Sequence, residues 1–228
     1  MKNVRPTDGT GPHRRHSRYH IGALASGGAP IHAQLAAEMK ARYADLKATA
    51  RATEDAEDDW LGASATSDAS EIVLENAVRR LDLEARRADQ SDASRNAQKT
   101  IFPDGFGPVI APEGEVQRTT LPALYVRASA FLGIADVASA VDAVKKADSA
   151  FADDLQKEQA ALAAWDMRFA EEREARRQVR EQLESAHARL RDFYKGRAGL
   201  AEDFFYREKR RRAVKKTDGE APPQGPTG

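Results

Sequence analysis

Between Gly133 and Gly196 the chain contains neither glycine nor proline. Nothing in the backbone's own chemistry therefore interrupts a helix there. Apolar residues recur through this stretch at intervals of three and four: Val137, Val141, Val144, Ala147, Phe151, Leu155, Leu162, Trp165 and Phe169, then Val179, Leu183, Ala186, Leu190 and Phe193. That is the period of one helical face, not of a strand. Two arrangements satisfy it, a single very long helix or a hairpin turning near Asp166 to Ala170. The hairpin is preferred, because a single helix of that length needs an equally long partner.

The rest of the chain reads in the same period. Pro30 suits the first position of a helix, where its missing N–H costs nothing. Behind it Ile31, Leu35, Met39, Tyr43, Leu46 and Ala50 form a stripe that reaches Trp60 and Leu61. Gly62 is expected to break this helix, with a turn over Ser64 to Ser70. Asp68 and Glu71 have the spacing of a capping box, opening a second helix. Its stripe is Ile72 or Val73, then Leu74, Val78, Leu81 and Ala85, and it runs to about Gln98. Residues 101–118 mix Phe102 and Phe106 with Pro103, Gly105, Gly107, Pro108, Pro112 and Gly114, which predicts an ordered, packed loop. Thr119 or Thr120 is expected to cap a short helix with Pro122 in its first turn, ending at Gly133.

Composition sets how thick such a fold can be. Leu, Ile, Val and Phe together number 40 of 228 residues, below the roughly one-fifth at which disorder becomes a serious alternative. Alanine, the strongest helix former, supplies much of the remaining apolar content. With 32% charged residues, the expectation is an all-α fold: an elongated antiparallel bundle of long helices sharing a narrow seam, with flexible termini. Trp60 and Trp165, the two tryptophans, lie 105 residues apart. Sliding the sequence by that offset also aligns Met39 with Val144, Leu46 with Phe151 and Val78 with Leu183. If duplication is the cause, two helical hairpins are stacked on each other; helical periodicity explains most of the matches without it.

Formal net charge is zero, but it is unevenly placed. Residues 1–20 and 207–228 together carry a net +8, leaving −8 for the body between. The domain reading is a flexible basic arm over 1–29, a helical bundle domain over 30–206, and a basic, then Pro/Gly-rich, disordered tail over 207–228. The absence of cysteine excludes disulfides and thiolate chemistry. With no apolar run near the ~20 residues that span a bilayer and none in the first 20 residues, the expectation is a cytoplasmic protein without a transmembrane segment or secretory signal.

Residues able to carry chemistry are few. Glu184 and His187 have the Glu-x-x-His spacing of di-iron bundles, which puts both on one helical face. A second such pair is missing, so a surface pair is the better reading. His13, His16 and His20 would share a face of a helix, but Arg14, Arg15 and Arg18 among them disfavour a cation, and an unstructured basic arm is preferred. Ser26, Gly27 and Gly28 lack the strand and Lys-Ser/Thr of a phosphate loop, and there is no Gly-x-Ser-x-Gly elbow. No cofactor or metal is expected, and no small-molecule substrate is indicated. The function expected is non-enzymatic: a structural or adaptor protein acting through helical surfaces, by self-association or by docking a partner protein. The alternative is a module binding nucleic acid or an anionic surface through its basic ends, with Arg207, Lys209, Arg210, Arg211, Arg212, Lys215 and Lys216 as contacts beside Phe204, Phe205 and Tyr206.

Overall fold

The structure is a computed structural model and describes residues 4–207. Among the described residues seven α-helices follow one another: α1 (Thr10–Ala25), α2 (Pro30–Ser91), α3 (Ala97–Ile101), α4 (Gly107–Ile110), α5 (Gly114–Ala128), α6 (Ala135–Phe193) and α7 (Ala198–Glu202), with a 3-10 turn at Ser129–Phe131. Among the described residues there is no strand, so the all-α bundle stands.

Four local expectations are corrected. No break occurs at Gly62 and no turn over Ser64 to Ser70, because α2 is one helix of 62 residues. A single interior glycine costs only about 1 kcal/mol, too little to end a helix that is packed on both sides of it. No hairpin turn occurs near Asp166, because α6 is one helix of 59 residues. The two corrections have one cause: unbroken, α2 is the equally long partner that α6 requires. Pro122 lies inside α5, which starts at Gly114 rather than at Thr119. Finally, residues 10–25 of the supposed flexible arm form α1, with His13, Ser17, His20 and Leu24 buried.

The chain divides into two compact units, one made of Met1–Tyr43 with Val179–Gly228 and the other of Ala44–Gln178. The divisions fall within α2 and α6. In the central unit, 44–178, α2 and α6 run antiparallel. Thr53 Oγ1 donates to the Arg168 carbonyl at 3.1 Å, the Trp60 and Trp165 rings lie 5.5 Å apart, and Ser70 Oγ donates to Asp154 Oδ2 at 2.5 Å. Positions that rise along α2 meet positions that fall along α6. This pairing brings the two tryptophans together without any duplication. The seam on α2 repeats every seventh residue, through Leu46, Thr53, Trp60, Ser67, Leu74, Leu81 and Ala88; on α6 it runs through Val137, Val144, Phe151, Glu158, Trp165 and Glu172.

A third layer covers one end of this pair. Ile101, Phe102, Val109, Leu121, Leu124 and Ala128 pack against Leu74, Val78, Leu81, Val141, Val144 and Phe151 in one continuous core. Each large side chain removed from water contributes roughly 1.5–3 kcal/mol. The segment read as an ordered Gly/Pro/aromatic loop over 101–118 is ordered, with α4 inside it; Phe102 is 2% exposed and Phe106 packs partly against the core. Gly114 adopts φ +59°, where side chains strain the backbone, and its N–H donates to Glu71 Oε1 at 2.7 Å. Arg118 Nε and the Tyr125 hydroxyl both donate to Asp148, at 2.8 and 3.2 Å. Burial first, then the Asp148 charge, push the Tyr125 phenol well above its ordinary range.

The short α3 has its cap on another helix. Asp89 accepts from the Ala97 N–H at 2.6 Å and from the Gln98 N–H at 2.9 Å, so one carboxylate satisfies two first-turn amides. Asp89→Ala should lower stability by about 1–2 kcal/mol, in the range of lost N-caps, and Asp89→Asn by less. Urea midpoints of the two variants check this, and equal midpoints for Asp89→Ala and the native chain would contradict it.

In the terminal unit the apolar seam is Leu35, Ala36 and Met39 of α2 with Val179, Leu183, Ala186 and Leu190 of α6, all buried. Glu38 Oε2 accepts from Gln182 Nε2 at 2.9 Å and Arg189 Nη1 at 2.7 Å. Helix α1 and the segment ending in Phe205 pack here too. Phe205 is buried and stacks on His20, with centroids 4.6 Å apart. The buried face of α1 has a single leucine, Leu24, beside His13, Ser17 and His20, so it carries no apolar stripe. His32 sits so tightly against Gly27 that a Cβ there would collide with its ring.

Candidate interaction surface

The third layer of the central unit stops part-way along α2 and α6. One row on α6 shows where. Val141, Asp148, Leu155, Leu162 and Phe169 follow at seven-residue spacing, hence on one face. Val141 is in the core and Asp148 is held by α5, while Leu155 is only partly buried at the core's margin. Leu162 and Phe169 are each 38% exposed. The face that α5 covers at one end therefore continues bare. On α2, Leu61 is 52% exposed, as is Met167 on α6.

The seam under this bare stretch differs from the seam elsewhere. Between Leu46 and Leu74 the buried residues of α2 are Ala50, Thr53 and Ser67; between Phe151 and Val179 those of α6 are Glu172 and Ala175. Small and polar groups have replaced leucine. Arg176 Nε approaches Glu172 Oε1 at 3.9 Å, and its guanidinium lies 5.6 Å from the Phe169 ring centroid. A charge pair in a seam contributes little net stability once desolvation is counted.

The tryptophans bridge this weak region. Their rings stack at 21°, and Phe169 continues the stack 5.8 Å from Trp165. The sequence predicts substantial burial near helix ends; instead both are half-buried and lie near the midpoints of α2 and α6. Both indole N–H groups are shut off from water and have no hydrogen-bond partner among the described residues. Each such orphan costs roughly 1–3 kcal/mol.

The residues singled out in the sequence fall mostly elsewhere. Arg207 is exposed, 3.8 Å from Glu202, while Lys209, Arg210, Arg211, Arg212, Lys215 and Lys216 lie outside the described residues. Glu184 is exposed, and His187 Nε2 pairs with Glu202 at 2.7 Å rather than with Glu184. His13 and His20 are buried and not part of an unstructured arm. Among the described residues, no group of His, Asp and Glu is arranged to hold a metal ion, and no helix is long and apolar enough to cross a membrane. The chain matches no family model, no curated protein and no solved structure.

A second surface lies in the terminal unit. Helix α1 contains no Asp or Glu but carries Arg14, Arg15 and Arg18. With Gly11 and Tyr19 they line an open cleft of about 570 Å³. The sequence reading counted these arginines only as arm charge. Helical spacing of 14, 15 and 18 would have shown that they share one side once the arm is folded.

Proposed function

We propose that this is a non-enzymatic structural protein that works by self-association through the bare stretch of the central unit's α2–α6 pair, a two-helix coiled coil. The observation that carries this reading is the row running from Val141 under α5 to uncovered Leu162 and Phe169. A second copy suits it by size. The stretch from Leu46 to Ser70 is about 37 Å long and two helices wide, roughly 750 Å², against the ~800 Å² per partner of a standard interface. An isologous contact sets Leu61, Leu162 and Phe169 against the same residues of the other copy. The helix pairs cross rather than lie side by side, because α3–α5 stand beside the stretch. Each apolar Å² covered returns roughly 25 cal/mol.

Light scattering on the full chain at several concentrations tests this. The expected mass rises from monomer towards dimer through the micromolar range and changes little with salt, because the contact is apolar. Leu162→Glu with Phe169→Glu, both at half-exposed positions, should remain monomeric with an unchanged helical signal. A strict monomer up to high micromolar concentration would remove the support for self-association.

The α1 arginines favour a second reading, contact with an anionic partner such as a nucleic-acid backbone. Its mark is the opposite salt response: binding to a polyanion should weaken steeply between 50 and 200 mM salt, as counterion release requires when several phosphates are neutralised. It should also be lost on replacing Arg14, Arg15 and Arg18 by alanine.

A further inference from the structure

All five histidines of the chain, His13, His16, His20, His32 and His187, belong to the terminal unit, and the central unit has none. We propose that three of them, the buried His13, His20 and His32, form an acid-released latch that holds α1 and the segment 198–207 in place only while these imidazoles are uncharged.

The hydrogen bonds assign each ring its proton. A guanidinium only donates and a carbonyl only accepts. His13 Nε2 lies 3.2 Å from Arg180 Nη1 and must accept, so Nδ1 carries the proton that goes to the Gly9 carbonyl at 2.8 Å. His32 Nδ1 accepts the Ala29 N–H at 3.2 Å, leaving Nε2–H for the Tyr194 hydroxyl at 2.9 Å. His20 Nδ1 donates to the Phe204 carbonyl at 2.9 Å, and its Nε2 is buried with no partner among the described residues. A second proton on His13 or His32 breaks an existing bond, and on His13 it also points at a cation. On His20 it creates a buried donor with nothing to accept it.

The bond from His20 and the ring of His32 hold the end of the described chain. Phe204 stacks on His32 at 4.8 Å and Phe205 on His20 at 4.6 Å, while Tyr206 meets the edge of His16 at 5.0 Å. Among the described residues, charged groups that face this cluster include Arg180 from α6, Arg15 of α1 over Tyr206, and Glu202 with Arg207 at the chain end. Around His32, Phe193 and Tyr194 of the α6 end supply aromatic rings. His187 reaches the same segment through Glu202, at 2.7 Å.

The sign follows from burial. Desolvation, partly offset by the bond to Phe204, lowers the His20 pKa below 6.5. A group lowered in the folded state stabilises it above the unfolded value and loses that contribution as pH falls through the folded one. The window opens just below pH 6.5. Glu202, held low chiefly by its bond to His187, gives up its own contribution only below its ordinary 4.5. Between these limits His20 decides. Release would free Phe204, Phe205 and Tyr206.

Hydrogen exchange on the full chain at pH 7.5 and pH 5.0, corrected for intrinsic rates, tests the latch. The amides of 13–25 and 198–207 should lose protection by on the order of tenfold. Those of 74–88 and 137–151 should hold theirs. Equal protection at both pH values, or equal loss in both units, would overturn the proposal. His20→Gln keeps a donor for Phe204 without a titrating charge and should cut the loss several-fold. If that variant is already loose at pH 7.5, His32→Gln replaces it, since an amide can accept from Ala29 and donate to Tyr194. Variants that are docked at pH 7.5 and keep the full native loss at pH 5.0 would also overturn it.

Discussion

Phe151→Ala should destabilise the protein by about 4 kcal/mol, the largest effect expected of a single side chain here. Phe151 is fully buried where α6 meets both α2 and the third layer, in the core that also holds Leu74, Val78, Leu121 and Leu124. Truncation removes a ring's worth of burial and leaves a cavity lined by groups on long helices, which collapse poorly into it. Phe169→Ala is the internal comparison. It changes the same residue type on the same helix, but at a position 38% exposed, and should cost about 1 kcal/mol or less, as for surface-facing substitutions. Denaturant unfolding of the two variants decides. Equal losses would mean that the third layer does not create the difference between the two ends of the central unit.

Trp165→Ala should cost about 3 kcal/mol, at the low end for a truncated tryptophan because the ring is only half-buried. The seam around it offers Ala175, Thr53 and Ser67, and none of them can fill the space left. Trp165→Phe should behave differently. A phenyl ring keeps a stacking partner for Trp60 and Phe169 while removing one buried, unpaired N–H, so its loss should be about 1 kcal/mol or less. Stacked indoles also couple optically. The native chain should show a tryptophan couplet in circular dichroism, and Trp60→Phe or Trp165→Phe should each abolish it. A couplet that survives either substitution would mean that the two rings do not stack.

The helical class was legible because it depends on local chemistry. Spacing by three and four, the absence of glycine and proline between Gly133 and Gly196, and the abundance of alanine act within a few residues of one another. Leu35, Met39, Leu46, Leu74, Val78, Leu81, Phe151, Val179, Leu183 and Leu190, all read as seam residues, are all buried. Ile72 and Val73 belong to the same apolar run and are exposed, because in a helix adjacent residues point about 100° apart and only Leu74 faces the seam.

Continuity of the long helices was not legible, because Gly62 and the charged stretch after Asp166 are weak local signals that a long partner outweighs. Neither α2 nor α6 shows that partner by itself. Helix α1 escaped for a related reason: its buried side includes His13, Ser17 and His20, residue types that look solvent-facing until the Gly9, His13 and Phe204 carbonyls and Arg180 supply their hydrogen bonds. The candidate interaction surface is the clearest case. Leu155 and Leu162 are the same residue, seven positions apart on one face of one helix. The sequence determined that both would stand on that face. Only the tertiary structure decided which would meet a third layer, because the reach of α3–α5 over α6 is set by how those short helices dock, by Gly114 on Glu71, Arg118 and Tyr125 on Asp148, and α3 on Asp89, and not by anything encoded next to Leu162.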